Sequence, residues 1–152
     1  MFNVRVYGIL INDKKQVLVA DEFIRGKYYT KFPGGGLELG EGTRDCLKRE
    51  FREEMNLDVE VGEHLYTTDF YQVSAFNPSH QIISIYYLVD PLDDLAIPVK
   101  NEFDAEEKKN KTHQDDEEIE EFRFIEWNKF SENSVTLPID KVAVKHIKEK
   151  FS

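Results

Sequence analysis

Glu50, Glu53 and Glu54 follow three consecutive glycines, Gly34 to Gly36, in the stretch PGGGLELGEGTRDCLKREFREEMNL. At positions i, i+3 and i+4 of an α-helix, their carboxylates share one face. Anions that close repel each other unless a cation sits among them. An all-oxygen donor set suits a hard divalent ion, Mg²⁺ or Mn²⁺, better than zinc. Arg49, beside Glu50, carries a planar fork that can grip a carboxylate and offset part of the repulsion. The glycines let the backbone approach a ligand closely. The same run, REFREE, also fits a charged solvent face laced by i to i+4 ion pairs such as Arg49 with Glu53.

These groups need a helix, and the apolar spacing of Cys46, Leu47 and Phe51 predicts one over 43–55, with Thr43 as N-cap and Asn56 closing it in the left-handed conformation. Ahead of it, FNVRVYGILI and QVLVADEF alternate around an NDKK turn, which predicts a hairpin over 2–23. IRGKYYTKFPGGG is broken by Gly26, Pro33 and the glycine run; it carries Arg25, Lys27 and Lys31, a basic island that faces an anion or is a solvated loop. DVEVGEHLYTTDFYQVSAF predicts further strand, and QIISIYYLVD a buried central strand. Residues 100–118 are almost devoid of apolar side chains and show no period, the pattern of a functional or solvated loop. IEEFRFIEW returns to strand, and IDKVAVKHIKEKF closes the chain as an amphipathic helix on Ile139, Val142, Ala143, Ile147 and Phe151. The order predicts an α+β domain, a mixed twisted sheet with two helices around it.

The length of 152 residues fits a single domain, 1–152. A net charge of -10, from 20 basic against 30 acidic residues, argues against nucleic acid as a partner. It would repel a nucleotide as well, unless a bound cation or a local basic lining reverses the field at the site. The sequence offers no apolar run long enough to cross a membrane and no signal-peptide pattern at MFNVRVYGIL, and its lone Cys46 cannot form an internal disulfide. A cytoplasmic protein is expected.

Gly35, five residues, Glu41, seven residues, Arg49-Glu50-Phe51, one residue, Glu53-Glu54, one residue, Asn56-Leu57 resembles the Nudix box G-x5-E-x7-R-E-U-x-E-E-x-G-U without a gap. The preceding FPGG, Phe32 to Gly35, looks like the family's usual entry to the box. Asn56 replaces the last glycine and tolerates the same left-handed conformation. Phe51 replaces an aliphatic residue, so the core beside it must be roomier. The resemblance to the Nudix (MutT-like) hydrolases implies an α/β/α sandwich and a metal-dependent hydrolase of a diphosphate linkage in a nucleoside diphosphate joined to another group. It further implies that Glu50, Glu53, Glu54 and the carbonyl of Gly34 hold Mg²⁺ or Mn²⁺. Arg49 would orient Glu50, Glu41 would meet the arginine or extend the metal site, and Glu50, then Glu53, or else a loop glutamate would take a proton from water. The extra carboxylate that the family often places before a late strand falls on Glu118, with Glu117 its neighbour. Substrate contacts are expected from Arg25, Lys31 and Tyr71, and small members of the family often form homodimers. A (d)NTP or related nucleotide is the first expectation for the substrate. An ADP-ribose or sugar-nucleotide hydrolase, or a non-catalytic nucleotide-binding module of the same fold, are the alternatives.

Overall fold

The computed structural model describes residues 1–104 and 119–151. Two apolar runs open the chain, β1 (Phe2–Leu10) and β2 (Gln16–Ile24). Val6 to Leu10 in the first and Val17 to Asp21 in the second are buried without interruption. Strands covered on both faces sit inside sheets, with a partner along each edge. The hairpin expected over 2–23 therefore does not form, and β1 and β2 go to different sheets. At the turn an isolated bridge between Ile11 and Val17 and hydrogen bonds between Asn12 and Gln16 join them.

Among the described residues the remaining strands are β3 (Lys27–Lys31), β4 (Gly34–Gly36), β5 (Val59–Thr67), β6 (Gln81–Pro91) and β7 (Ile119–Glu126). They build a four-stranded sheet in the order β4-β1-β6-β5 and a three-stranded sheet in the order β3-β2-β7, where one sheet had been expected. The basic stretch from Ile24 to Gly36 thus holds two short strands instead of a loop. The run QIISIYYLVD does form an interior strand, parallel to β1 with Arg5 opposite Ser84 and Tyr7 opposite Tyr86. Strand β5 ends nine residues before Phe76. Beyond it the chain turns around Ser74, whose hydroxyl accepts the N–H groups of Phe76 and Asn77.

Helix α1 spans Thr43–Met55 and helix α2 spans Pro138–Lys150. Gly42 takes the N-cap position of α1, and Thr43 enters the first turn because its hydroxyl lies 2.7 Å from that of Tyr87. Asn56 closes the helix at φ 50°, ψ 39°, as its side chain permits. The phenyl ring of Phe51 finds its room opposite Gly8, where a Cβ would come within 2.7 Å of the ring. Pro138, which lacks the N–H that a first turn cannot use, begins α2. Cys46, Leu47 and Phe51 of α1 pack with Val6, Leu10, Leu18 and Phe124. On the other side, Ala143, Val144 and Ile147 of α2 pack with Tyr7, Ile9, Val17, Val19 and Tyr86. Val6 and Tyr7 face opposite ways on one strand, so the two helices cover opposite faces. This is the α/β/α arrangement. No helix among the described residues is long and apolar enough to cross a membrane.

Asp140, fully enclosed in the first turn of α2, accepts the hydroxyl of Tyr86 at 2.5 Å, while its other oxygen has no partner. Burial pushes its carboxyl from 3.8 up to about 6, against the pull of Tyr86 and nearby cations. A folded-state pKa above the unfolded one means that the native state holds the proton more tightly. The group's contribution to stability is then complete below 3.8 and lost as pH rises through about 6. Asp140→Asn should therefore gain on the wild type by about 3 kcal/mol between pH 4 and pH 7. Urea unfolding of both proteins across that range checks it, and an offset independent of pH would contradict it.

Candidate active site

The glycine run and α1 are fixed to each other by close contact. Gly34 adopts φ 148°, and a Cβ there would fall 2.1 Å from the carbonyl oxygen of Val6, so β4 pairs with β1 at a distance that only glycine allows. At Gly35 a Cβ would meet the Glu50 carboxyl at 2.5 Å. The carboxylate of Glu50 thus rests on the bare backbone of the second glycine. This is the structural reason for a glycine at the start of the motif.

Arg49 holds the cluster together. Its Nε and Nη2 donate in a fork to the two oxygens of Glu41, at 2.9 and 2.7 Å. Its Nη1 donates to Glu50 at 3.0 Å and to Glu53 at 3.2 Å, and Nη2 also reaches the carbonyl of Gly36 at 3.1 Å. Glu41 in turn accepts the N–H of Glu38. The Arg49 contact, with that N–H, holds the Glu41 carboxyl down at about 2. Arg49 therefore contacts both Glu50 and Glu41, and the i to i+4 pair with Glu53 forms too.

The three helix carboxylates meet around Glu50 but in different settings, Glu50 and Glu53 sharing Arg49 Nη1 and Glu54 lying beside Glu50. Glu53 is exposed and turned to Arg49, whereas Glu54 is half-buried and its Oε2 has no hydrogen-bond partner. Burial first, then the charges of Glu120 and Glu50, push the Glu54 carboxyl up to about 9. Glu120 is pushed up to about 7 by burial and by Glu22. Among the described residues, no group of three or more His, Cys, Asp or Glu side chains is already set to hold a metal ion. Part of the reason is that Arg49 occupies oxygens of Glu41, Glu50 and Glu53. The cluster still has the chemistry of a cation site: oxygen donors only, mutual repulsion, and one buried oxygen without a partner.

Glu22 and Glu120 belong to this cluster, and the sequence reading passed over both. They face each other in the β2–β7 register, so each takes its place from strand pairing between residues 98 apart in sequence. The alternation of β7, which turns Glu120, Phe122 and Phe124 to one side, was the available signal. Glu117 and Glu118 lie outside the described residues.

Beside the cluster, a cavity of about 240 Å³ opens between the sheets, bounded by β1 and β6 on one side and by β2 and β3 on the other. Arg25 and Lys31 line it, as do Arg5, Glu22 and Phe76. Tyr71 does not; it is 73% exposed, next in the chain to the lining residue Gln72. Lys31 is buried and paired with Glu22 at 3.1 Å, and Arg25 donates to the carbonyl of Phe76. Lys27 is exposed and outside the lining.

Because Arg49 is shared by several carboxylates, Arg49→Gln should lower the melting temperature at pH 7 by a few degrees, more at low salt than at high. Glu41 has a depressed folded pKa, so its share of that loss is present above about 4.5 and disappears as pH falls through about 2. Melting curves of both proteins at stepped pH and ionic strength check this. A loss that ignores both variables would contradict it.

The chain matches the NUDIX domain over residues 1–147. Its fold is similar to that of the Escherichia coli ORF135 protein, with a TM-score of 0.70 and 17% identity over 99% of this chain and 91% of that one. A MutT protein of Methanosarcina mazei gives a TM-score of 0.68 at 13% identity over 99% and 96% of the two chains. An ADP-ribose pyrophosphatase of Streptococcus suis gives 0.57 at 14% identity over 99% and 92%. No curated protein sequence matches the chain. With every acidic position and the arginine of the box in place and the domain matched over nearly all its length, the chain belongs to the Nudix family of hydrolases.

Proposed function

We propose that the protein is a divalent-metal-dependent pyrophosphohydrolase that cleaves the diphosphate linkage of a nucleoside diphosphate joined to another group. The observation that carries this reading is the partnerless buried oxygen of Glu54, next to Glu50 and Glu120, within a Nudix box that keeps all its acidic positions and its arginine. Glu50, Glu53, Glu54 and the carbonyl of Gly34 are the groups to hold Mg²⁺ or Mn²⁺, with Glu120 at the edge of the set. When bound, such an ion supplies charge neutralisation at the diphosphate and acidifies water.

The chain's own part is to place the reacting groups. Arg49 and Gly35 fix the Glu50 carboxylate, which accepts a proton from the attacking water; Glu53 is next in order for that role. Water adds to one phosphorus, the bridging P–O bond breaks, and two phosphate-bearing products leave. The cavity between the sheets takes the rest of the substrate, with Arg25 and Lys31 in its wall and Tyr71 near the lining segment, free to stack on an exposed ring. The folds of the S. suis ADP-ribose pyrophosphatase and of a UDP-X diphosphatase, the latter at a TM-score of 0.61 and 17% identity, keep ADP-ribose and sugar nucleotides in the substrate panel beside nucleoside triphosphates.

Hydrolysis of that panel with Mg²⁺, Mn²⁺ or EDTA tests the reading. One class should be cleaved with metal and none with EDTA. Glu53→Gln should lower turnover roughly a hundredfold or more with an unchanged circular dichroism spectrum. A folded wild-type protein that binds a nucleotide yet cleaves nothing with metal present would make it a binding module.

A further inference from the structure

The lining of the cavity is cationic in a chain whose net charge is -10. Among the described residues, Arg5, Arg25 and Lys31 stand against one carboxylate, Glu22. Lys31 is matched by Glu22 at 3.1 Å. Arg5 makes no direct ion pair among the described residues: its Nε donates to the hydroxyl of Tyr7 at 2.6 Å, and Glu22 and Glu50 act on it without contact. Arg25 donates to the carbonyl of Phe76, at 2.9 Å. Arg5 is half-buried and Arg25 exposed; Tyr7, Glu22 and Glu50 favour the charge of Arg5, but no carboxylate among the described residues occupies its fork, so an anion from solution would add a direct ion pair there.

Two neighbours act on the same space. Leu137, Pro138 and Ile139 bring the N-terminal end of α2 to the lining, where its dipole adds positive potential. Asp140 lies behind the wall, enclosed and bonded to Tyr86, and is not among the lining residues. None of Glu50, Glu53 and Glu54 lines the cavity, so a diphosphate gripped at those carboxylates leaves the cavity to another part of the substrate. A neutral base edge would satisfy one arginine fork and leave the second cation unchanged.

We infer that the cavity binds a phosphate monoester carried on the substrate away from the scissile linkage, with Arg5 as the residue that selects for it. The inference rests on the diphosphate-hydrolase reading for the word substrate, though not for the binding itself. Preferred substrates would then be diphosphates bearing a further phosphate, rather than ones ending in an uncharged nucleoside.

Calorimetric titration in EDTA with adenosine 3′,5′-bisphosphate and with adenosine, which carries no phosphate, tests the binding without catalysis. The bisphosphate should bind the wild type at least about tenfold more tightly, an advantage that should fall below about threefold in Arg5→Gln and be partly kept in Arg5→Lys. Equal affinities, or no binding of the bisphosphate at millimolar concentration, would overturn the inference. So would an advantage that survives Arg5→Gln in a protein with a normal melting curve. The wild-type comparison decides even if that variant does not fold. A hydrolysis arm uses coenzyme A and its 3′-dephospho form with Mg²⁺, and a higher kcat/KM is expected for the phosphorylated member. Selective binding with no diphosphate cleaved would sink the hydrolase reading alone, whereas cleavage without preference would sink this inference alone.

Discussion

One guanidinium sets the geometry on which the candidate site depends. Arg49 takes both oxygens of Glu41, one oxygen each of Glu50 and Glu53, and the Gly36 carbonyl, so a single side chain ties the glycine strand, the loop after it and α1 into one body. A lysine would lack the fork that makes those contacts simultaneous. The arrangement leaves Glu54 out of reach of this cation, half-buried among other carboxylates. Repulsion is thus relieved on one side of the helix and retained on the other. The retained part is where an incoming cation has most to gain.

The parting of β1 and β2 into separate sheets creates the second feature. Each strand buries a five-residue run and finds new partners, and the seam between the sheets is left open on the side of Arg5, Ser84 and Lys31. Arg5 stands opposite Ser84 in the β1–β6 register, and its Nη1 would lie 3.6 Å from a Cβ at Gly36. The cation of the cavity and the glycine strand of the cluster are therefore neighbours. A substrate could touch both without any rearrangement of the sheets.

Much of this was legible along the chain where the information is local. The helix over 43–55, its left-handed close at Asn56 and the buried place of Phe51 follow from spacing within a dozen residues, and even the demand for extra room beside Phe51 was readable, though not that Gly8 would meet it. The strand partners were not legible, since period-two alternation says that a run is a strand and not whom it pairs with. The hairpin over 2–23 failed for that reason. Arg5, Glu22 and Glu120 were missed for the same reason, because register alone brings them to the site. Thr43 was misplaced by one position because a good capping residue stood beside a glycine that took the cap, and its hydroxyl had a better partner in Tyr87.

The most direct test of the central claim, that these carboxylates are a cation site organised by Arg49, is Mn²⁺ titration followed by electron paramagnetic resonance. With wild-type protein the free-ion signal should be suppressed until the site fills, and Glu54→Gln and Glu50→Gln should weaken that suppression by roughly tenfold or more. A free-ion signal that grows from the first addition, in folded wild-type protein at neutral pH, would contradict it.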